Sequence, residues 1–298
     1  MKKSFRILGM IMAGIISLSG CNKENNSIYG FTIQNWKAQL AGFPVEDFYA
    51  FDRQRKIACV ADQVTRDFID GSVVISDVNG LIKTLMGKYP SYASADIFTD
   101  IYLKTKSFEK ANNAIWDYNQ EKGLVPTDYL ARDLAGCTAT GIFEENGFLN
   151  WQFLCDAGIS ILDEDGRLKF KTLDEGPHSK EKNPYLEEIL KQHGGFESSE
   201  GRVIIRSQYR NNPREEFAYG VLTGEQSALA YVKNGKEKLN DRDYVLLYTD
   251  GVADIIFNGD NLIPDFVFLL RKNSPSQLKE FCQKRVSSEG TLVVWKVE

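Results

Sequence analysis

Three acidic positions in this 298-residue chain stand where an apolar, strand-like run begins or stops. Glu46-Asp47 opens the run Asp47 to Phe51, Asp62 closes Lys56 to Ala61, and Asp250 closes Tyr244 to Thr249. An Asp after an apolar strand is often only a turn former. Several of them at one edge of a sheet do something else: their charges repel unless a proton or a cation intervenes. Carboxylate oxygens without imidazole or thiolate select hard ions such as magnesium or manganese. A pair of such ions acidifies water and clamps a phosphoryl oxygen.

The elements that must position these carboxylates come in blocks. Strand signals open the chain at Phe31 to Gln34. They continue in a hairpin, Asp47 to Phe51 and Lys56 to Ala61, joined by the charged turn Asp52-Arg53-Gln54-Arg55. From about 72 to 120 the spacing becomes helical. Val74, Val78, Leu81, Ile82 and Leu85 form one stripe, and Ile97, Ile101, Phe108, Ala111 and Ile115 form a second. Strands return at Thr138 to Phe143, Trp151 to Cys155 and Gly158 to Leu162, with Asp163-Glu164-Asp165-Gly166 as a turn. The polar stretch from Leu173 to Gly201 reads as an insertion with a short helix near Tyr185 to Gln192. Val203 to Arg206 and Phe217 to Val221 read as strands, as do Tyr244 to Tyr248 and Thr291 to Val297. Helices are expected at about Ile263 to Arg271 and Ser276 to Lys284, the second capped by Ser274 with Pro275 in its first turn. Strands, then helices, then strands with terminal helices predict an α+β β-sandwich covered by helices.

Composition narrows the function. A net charge of -5 without a basic stripe argues against nucleic acid as a partner. The two histidines, His178 and His193, both fall in the polar insertion, which leaves a His-centred triad little to draw on. Cys59, Cys137 and Cys155 sit inside strand-like runs and Cys282 in a helix, so they read as small buried hydrophobes rather than disulfide or zinc ligands.

The N-terminus carries a separate message. Lys2, Lys3 and Arg6 precede an apolar run from Ile7 to Leu18. That run is shorter than the roughly 20 residues of a lasting membrane span and fits the core of a secretory signal. Leu18-Ser19-Gly20-Cys21 resembles a bacterial lipobox, which implies lipid attachment at Cys21. The expected organisation is a leader at 1–20, a polar tether at 21–30 and one domain at 31–298. The expected location is the bacterial cell envelope, through a lipid anchor in the membrane. Asn22 after the Cys makes the outer membrane the default where there are two.

Read in order, six stretches resemble the motifs of the metal-dependent Ser/Thr protein phosphatases, the type 2C or PPM family. Val45-Glu46-Asp47-Phe48 resembles the opening Glu-Asp element, and Val60-Ala61-Asp62-Gln63 the Val-x-Asp-Gly element. Gly136-Cys137-Thr138-Ala139 resembles Gly-Ser-Thr-Ala, and Cys155-Asp156-Ala157 resembles Gly-Asp-Ser. Val245 to Asp254, Val-Leu-Leu-Tyr-Thr-Asp-Gly-Val-Ala-Asp, resembles Leu-x-Ser-Asp-Gly, and Ser288-Glu289-Gly290-Thr291 the closing Asp-Asp-x-Thr.

The resemblance implies a central β-sandwich flanked by α-helices, four layers in the order αββα, with two magnesium or manganese ions at one end. It implies hydrolysis of phosphoserine or phosphothreonine by a metal-bridged water, on a phosphoprotein or a small phosphoester. Carried over by position, Asp62 would bridge the ions, Asp250 would hold one, Glu46 and Asp47 would act on the other, and Gln63 would offer its backbone carbonyl. The chain departs from the pattern in several places, among them Cys155 and Ala157, which replace the neighbours of the retained Asp156. Gln63 replaces a Gly, whose special conformation a Gln could not copy. Ser288 replaces the closing carboxylate, a role Glu289 takes only if the strand end shifts. Gly42 stands where some members carry a phosphate-binding Arg, and Val64 where some carry a proton-donating His. Arg66, and with less weight Arg206 or Arg210, offers phosphate a guanidinium fork. Two other readings stand beside hydrolysis: a pseudophosphatase that keeps the fold as an envelope binding or regulatory module, and a ligand-binding lipoprotein of unrelated β-rich fold.

Overall fold

The computed structural model describes residues 28–41, 44–64, 93–130, 132–195, 198–259 and 261–298. Cys21, Gly42, Arg66 and the helical stripe from Val74 to Leu85 lie outside the described residues. No described helix is long and apolar enough to cross a membrane.

Two five-stranded antiparallel sheets form the centre. The first runs β1 (Ile28–Gln34), β12 (Glu289–Lys296), β9 (Tyr244–Tyr248), β6 (Gly158–Leu162), β7 (Leu168–Lys171). The second runs β2 (Asp47–Asp52), β3 (Ile57–Gln63), β4 (Cys137–Glu145), β5 (Phe148–Leu154), β8 (Lys233–Lys238). A two-residue pair, β10 (Phe257–Asn258) with β11 (Asn261–Leu262), stands apart.

The period of two along each strand decides the layers. In β3, Ala58 and Val60 face the first sheet, where they meet Ile159, Ile161, Val245, Leu247, Val293 and Trp295. Their neighbours Ile57, Cys59 and Ala61 face outward, against Phe98 and Tyr102 of α2 (Ser94–Thr105) and Phe108, Ala111 and Ile115 of α3 (Phe108–Glu121). The outer face of the first sheet does the same with Leu246, Leu292 and Val294. They pack on α6 (Asp250–Ile256), α7 (Pro264–Arg271) and α8 (Pro275–Gln283). The result is the expected αββα sandwich. Gly141 belongs to this packing, since a Cβ there would lie 2.3 Å from the Tyr102 ring. Cys59, Cys137, Cys155 and Cys282 are buried free thiols, as their place in apolar runs implied.

The hairpin, the central strands and the terminal helices fall where the sequence puts them. β1 begins at Ile28, inside the stretch assigned to the tether, because Ile28 pairs with Trp295 and is almost fully buried. A short helix, α1 (Trp36–Ala41), is too brief to show a period, and the strand β8 has no apolar side chain to show one. The insertion holds α4 (Asn183–Gln192).

Two expected strands are corrected. Val203 to Arg206 is helical: α5 (Ser199–Ile204) runs into a π-turn at Ile205–Tyr209. The β-branched run favours a strand, but Ser198 caps the helix by accepting from Gly201 N–H at 2.9 Å. The turns also bring Arg206 and Arg210 onto one Asp133. Phe217 to Val221 is an irregular segment: its ladder-type pairing is the isolated bridge Arg210↔Tyr219, and the Asn211 side chain holds the Val221 backbone at 2.8 and 2.9 Å. Ser274 precedes Pro275 as expected but makes no side-chain cap hydrogen bond.

Candidate metal centre

The same period of two that builds the sandwich interior carries past its end into carboxylates. Asp62 continues the inward face of Ala58 and Val60, and Asp47 that of Tyr49 and Phe51. Glu289 continues the inward face of Val293 and Trp295. Asp47 and Asp62 are direct cross-strand partners in the second sheet, while Glu289 opens β12 of the first. The two sheets therefore converge on one acidic point. One carboxylate oxygen of each residue lies within 4.8 Å of the other two, and Asp47 is 3% exposed.

Backbone and hydroxyl groups hold this trio. The Glu46 N–H donates to both Glu289 oxygens, at 3.2 and 3.0 Å. Thr249 Oγ1 donates to Asp47 Oδ2 at 2.6 Å and accepts from the Thr291 N–H at 2.8 Å; Thr291 Oγ1 in turn meets Thr32 Oγ1 at 2.7 Å. This ladder of hydroxyls fixes one Asp47 oxygen and leaves the other, Oδ1, buried without a hydrogen-bond partner. An orphaned carboxylate oxygen beside two more carboxylates is what a hard cation would satisfy.

The electrostatics agree. Burial pushes the Asp62 carboxyl well above the usual range, and the charges of Asp47, Asp250 and Asp156 push it further. Asp47 is also raised, chiefly by burial, against the pull of Thr249. Glu289 is raised to about 8, by burial first and then by the Asp47 charge. Asp156 is raised by burial and by the charge of Asp250. Each group resists ionisation in this site as it stands, and a divalent cation would reverse that.

Around the trio the expected residues take distinct places. Asp250 is the solvent-facing first residue of α6, where its Oδ1 accepts from the Gly251 N–H at 2.6 Å. An acidic residue there is favoured by the helix N-terminus. Protein atoms crowd it enough to raise its carboxyl, Asp254 and Asp174 add to this, and His178 works the other way. Gly251 allows the close approach of α6 to β12, since a Cβ there would overlap the Glu289 carbonyl. The Glu46 carboxylate accepts from Gln63 Nε2 at 3.2 Å, and Gln63 Oε1 accepts from Ser94 Oγ at 3.3 Å. Gln63 is an ordinary strand residue outside the left-handed region, so replacing a Gly here imposes no backbone strain. The conformational difficulty falls elsewhere: Cys155, in the Gly position of the Gly-Asp-Ser-like element, sits at φ 70°.

Glu289 takes the place at the trio and Ser288 is exposed beside it, so the closing carboxylate is supplied one residue later than the motif would have it. Arg206 and Arg210 are not available as phosphate forks. Arg210 binds Asp133 through both oxygens at 2.6 and 3.1 Å, and Arg206 Nε lies 3.4 Å from the same carboxylate. Reading the sequence missed Thr249, Thr291 and Asp174. The two threonines were visible inside quoted motifs, but nothing local shows that they join across strands. Asp174 was indistinguishable from any polar loop residue until Gly176 packed between it and Asp156.

No protein-family model matches the sequence, and no curated protein matches it by sequence. Solved structures do match in fold. One is the catalytic domain of the serine threonine protein phosphatase PstP in complex with two manganese ions. It has 16% identity and a TM-score of 0.51 over 91% of this chain and 98% of that one. Another is the S. agalactiae serine/threonine phosphatase, with 15% identity and a TM-score of 0.52 over 91% and 99%. A third is a bacterial serine phosphatase, with 14% identity and a TM-score of 0.53 over 91% and 97%. The chain thus has the type 2C phosphatase-like fold, a sandwich of two antiparallel sheets flanked by helices, with an acidic candidate metal site at one end.

Proposed function

We propose that this protein is a metal-dependent hydrolase of phosphoserine and phosphothreonine or related phosphomonoesters. The observation that carries the reading is the trio Asp47, Asp62 and Glu289, drawn from both sheets, with a buried Asp47 oxygen that lacks a partner. The fold likeness, one example of which is described with manganese, supports the choice of ion.

The oxygen-only donor set fits magnesium or manganese. Asp62, Asp47 and Glu289 would hold one ion, and Asp250 with Asp62 a second, with the Gln63 backbone carbonyl as a further donor. When bound, these ions supply positive charge for the phosphoryl oxygens and acidify water. Thr249 keeps Asp47 in one rotamer, and Gln63 keeps the Glu46 segment against α2. The apolar interior behind the trio keeps bulk water to one side, which strengthens every charge interaction in front of it. Arg66 is the remaining candidate for gripping the phosphate.

The test is p-nitrophenyl phosphate hydrolysis by residues 22–298 with manganese or magnesium at roughly 1–10 mM, enough to fill weak carboxylate sites. EDTA and Asp250→Asn serve as controls. Turnover that needs the metal and falls in the variant by about 10²-fold or more supports the reading. A folded sample without turnover removes it. Ser288, exposed where the motif expects a carboxylate, favours a second reading, a pseudophosphatase that binds partners in the envelope. Calorimetric titration with manganese separates the two, since a pseudophosphatase of this kind takes up the ion weakly or not at all.

The lipobox-like Cys21 supports placement outside the cytoplasm, on a lipid anchor in the cell envelope. Substrates would then be extracellular phosphoproteins or small phosphoesters. Metabolic labelling with a palmitate analogue, lost in Cys21→Ser, tests the anchor.

A further inference from the structure

The chain leaves the first sheet beside the acidic centre and returns beside it, and what it carries between is apolar and uncovered. Gln34, the last residue of β1, pairs with Glu289. The Asn35 N–H then donates to the Ser288 carbonyl at 2.5 Å, and Gln34 Nε2 donates to the Pro44 carbonyl at 3.2 Å. Both ends of the excursion are thus tied next to Glu289. Its last residue, Val45, precedes the Glu46 whose N–H holds the Glu289 carboxylate. Trp36 and Leu40 stand one turn apart on α1, 61% and 78% exposed, and Val45 is 44% exposed. Three of the eight large apolar side chains exposed among the described residues therefore fall within ten positions. Singly scattered apolar residues are ordinary, whereas a group of them at the rim of a site marks a contact surface.

Position narrows the occupant. Trp36 lies two residues past Gln34, so its Cα is no more than about 13 Å from that of Glu289. About four residues of extended peptide span that distance. A bilayer fits less well. β1 starts with Ile28 at the opposite end of the sandwich, so the tether enters some 20 Å from Gln34. The seven residues from Cys21 to Ile28 reach at most about 25 Å. Turning this rim onto the membrane would pull the tether almost straight, at a cost in chain entropy. We propose that Trp36, Leu40 and Val45 form a docking surface for an apolar side chain within about four positions of the phosphorylated residue. The favoured substrate is then a phosphoprotein with apolar flanks, rather than a small phosphoester or a lipid phosphate. The inference rests on the hydrolase reading and names the substrate class of that same site.

Paired phosphopeptides test this, with manganese present. One carries leucine or phenylalanine at the second and fourth positions on each side of the phosphoserine, and the other carries serine there. The apolar peptide is expected to lead by at least about tenfold in kcat/KM, what withdrawing some 55 Å² of apolar surface from water yields. Trp36→Ser combined with Leu40→Ser should bring that ratio to about one. Both side chains are exposed, so the thermal midpoint should hold. Leu40→Ser alone should lower the ratio part of the way, and it serves if the double variant fails to fold. A wild-type ratio near one, or a ratio that the variants leave unchanged, overturns the proposal. Lys37, with Nζ 5.8 Å from the Trp36 ring, would also suit an anionic surface. Co-sedimentation with vesicles of phosphatidylethanolamine and phosphatidylglycerol, lost in the double variant, therefore overturns the proposal in favour of a membrane contact. A dimer that the double variant abolishes overturns it in favour of a second copy. Wild-type protein inactive on p-nitrophenyl phosphate and on both peptides removes the hydrolase reading and this proposal with it. Turnover of p-nitrophenyl phosphate without preference between the peptides removes the proposal alone.

Discussion

Two groups of carboxylates drawn in from solvent meet the same problem in this molecule with opposite outcomes. Asp133 is fully buried and is gripped by Arg210 through both oxygens and by Arg206 from the side. Asp47 is buried and Asp62 half-buried beside it and beside Glu289, with hydroxyl, amide and like-charged neighbours. The arginine group neutralises its charge within the chain. The acidic centre does not, and its carboxylates shift upward instead. One cluster ties α5 and the π-turn to the loop at Asp133. The other holds a charge deficit that a cation from outside can fill. A buried charge with its partner in the chain is architecture; a buried charge without one points to a ligand.

The largest expected effect breaks the architectural side. Asp133→Ala leaves two guanidinium groups buried without their carboxylate and should cost about 3–5 kcal/mol, read from the urea midpoint. The equivalent change at the acidic centre should have the opposite sign. Asp62→Asn removes like-charge repulsion and should stabilise the metal-free protein by about 2 kcal/mol while abolishing the thermal shift that manganese produces.

Titration sharpens the same contrast. Asp47, Asp62 and Glu289 have folded-state values above their unfolded ones, so the folded state binds more protons than the unfolded state through that window. Their contribution to stability is complete below the ordinary carboxylate range and is lost as pH rises toward about 8, the Glu289 value. The metal-free protein should therefore show a falling urea midpoint between pH 5 and 8, as roughly one to two protons leave the cluster. Saturating manganese should flatten or reverse that slope. The smallest effect is at the edge of the arginine group. Arg206→Met keeps the Arg210–Asp133 pair and should cost about 1–2 kcal/mol by denaturant unfolding, as the 3.4 Å ion pair with Asp133 and the hydrogen bond to the Tyr129 carbonyl are lost.

Much of the site was legible because it follows strand ends. Glu46-Asp47, Asp62 and Asp250 each border an apolar run, and a period of two extends from the core into them. Glu289 was harder: Ser288-Glu289-Gly290-Thr291 allows either residue to face the site, and only the pairing of Glu289 with Gln34 across from β1 settles the phase. Gln63 looked like a conformational misfit and is an ordinary strand residue. The misfit lies at Cys155, whose left-handed backbone no local pattern announces. The expected strand at Val203 to Arg206 failed for a related reason. Its β-branched residues favour extension, but the helical path carries the Ser198 cap and brings Arg206 and Arg210 to Asp133, and the Asp133 contacts are invisible at short range.

By itself, the sequence determined the alternation of the strands, the helical stripes and the acidic residues at strand ends, because these depend on neighbours two to four positions apart. Tertiary structure decided which carboxylates share one point, which threonines brace them and where the arginines are spent. Those outcomes depend on how two sheets and a loop, far apart in the chain, are pressed together, and the free energy that does so comes from the apolar interior between them.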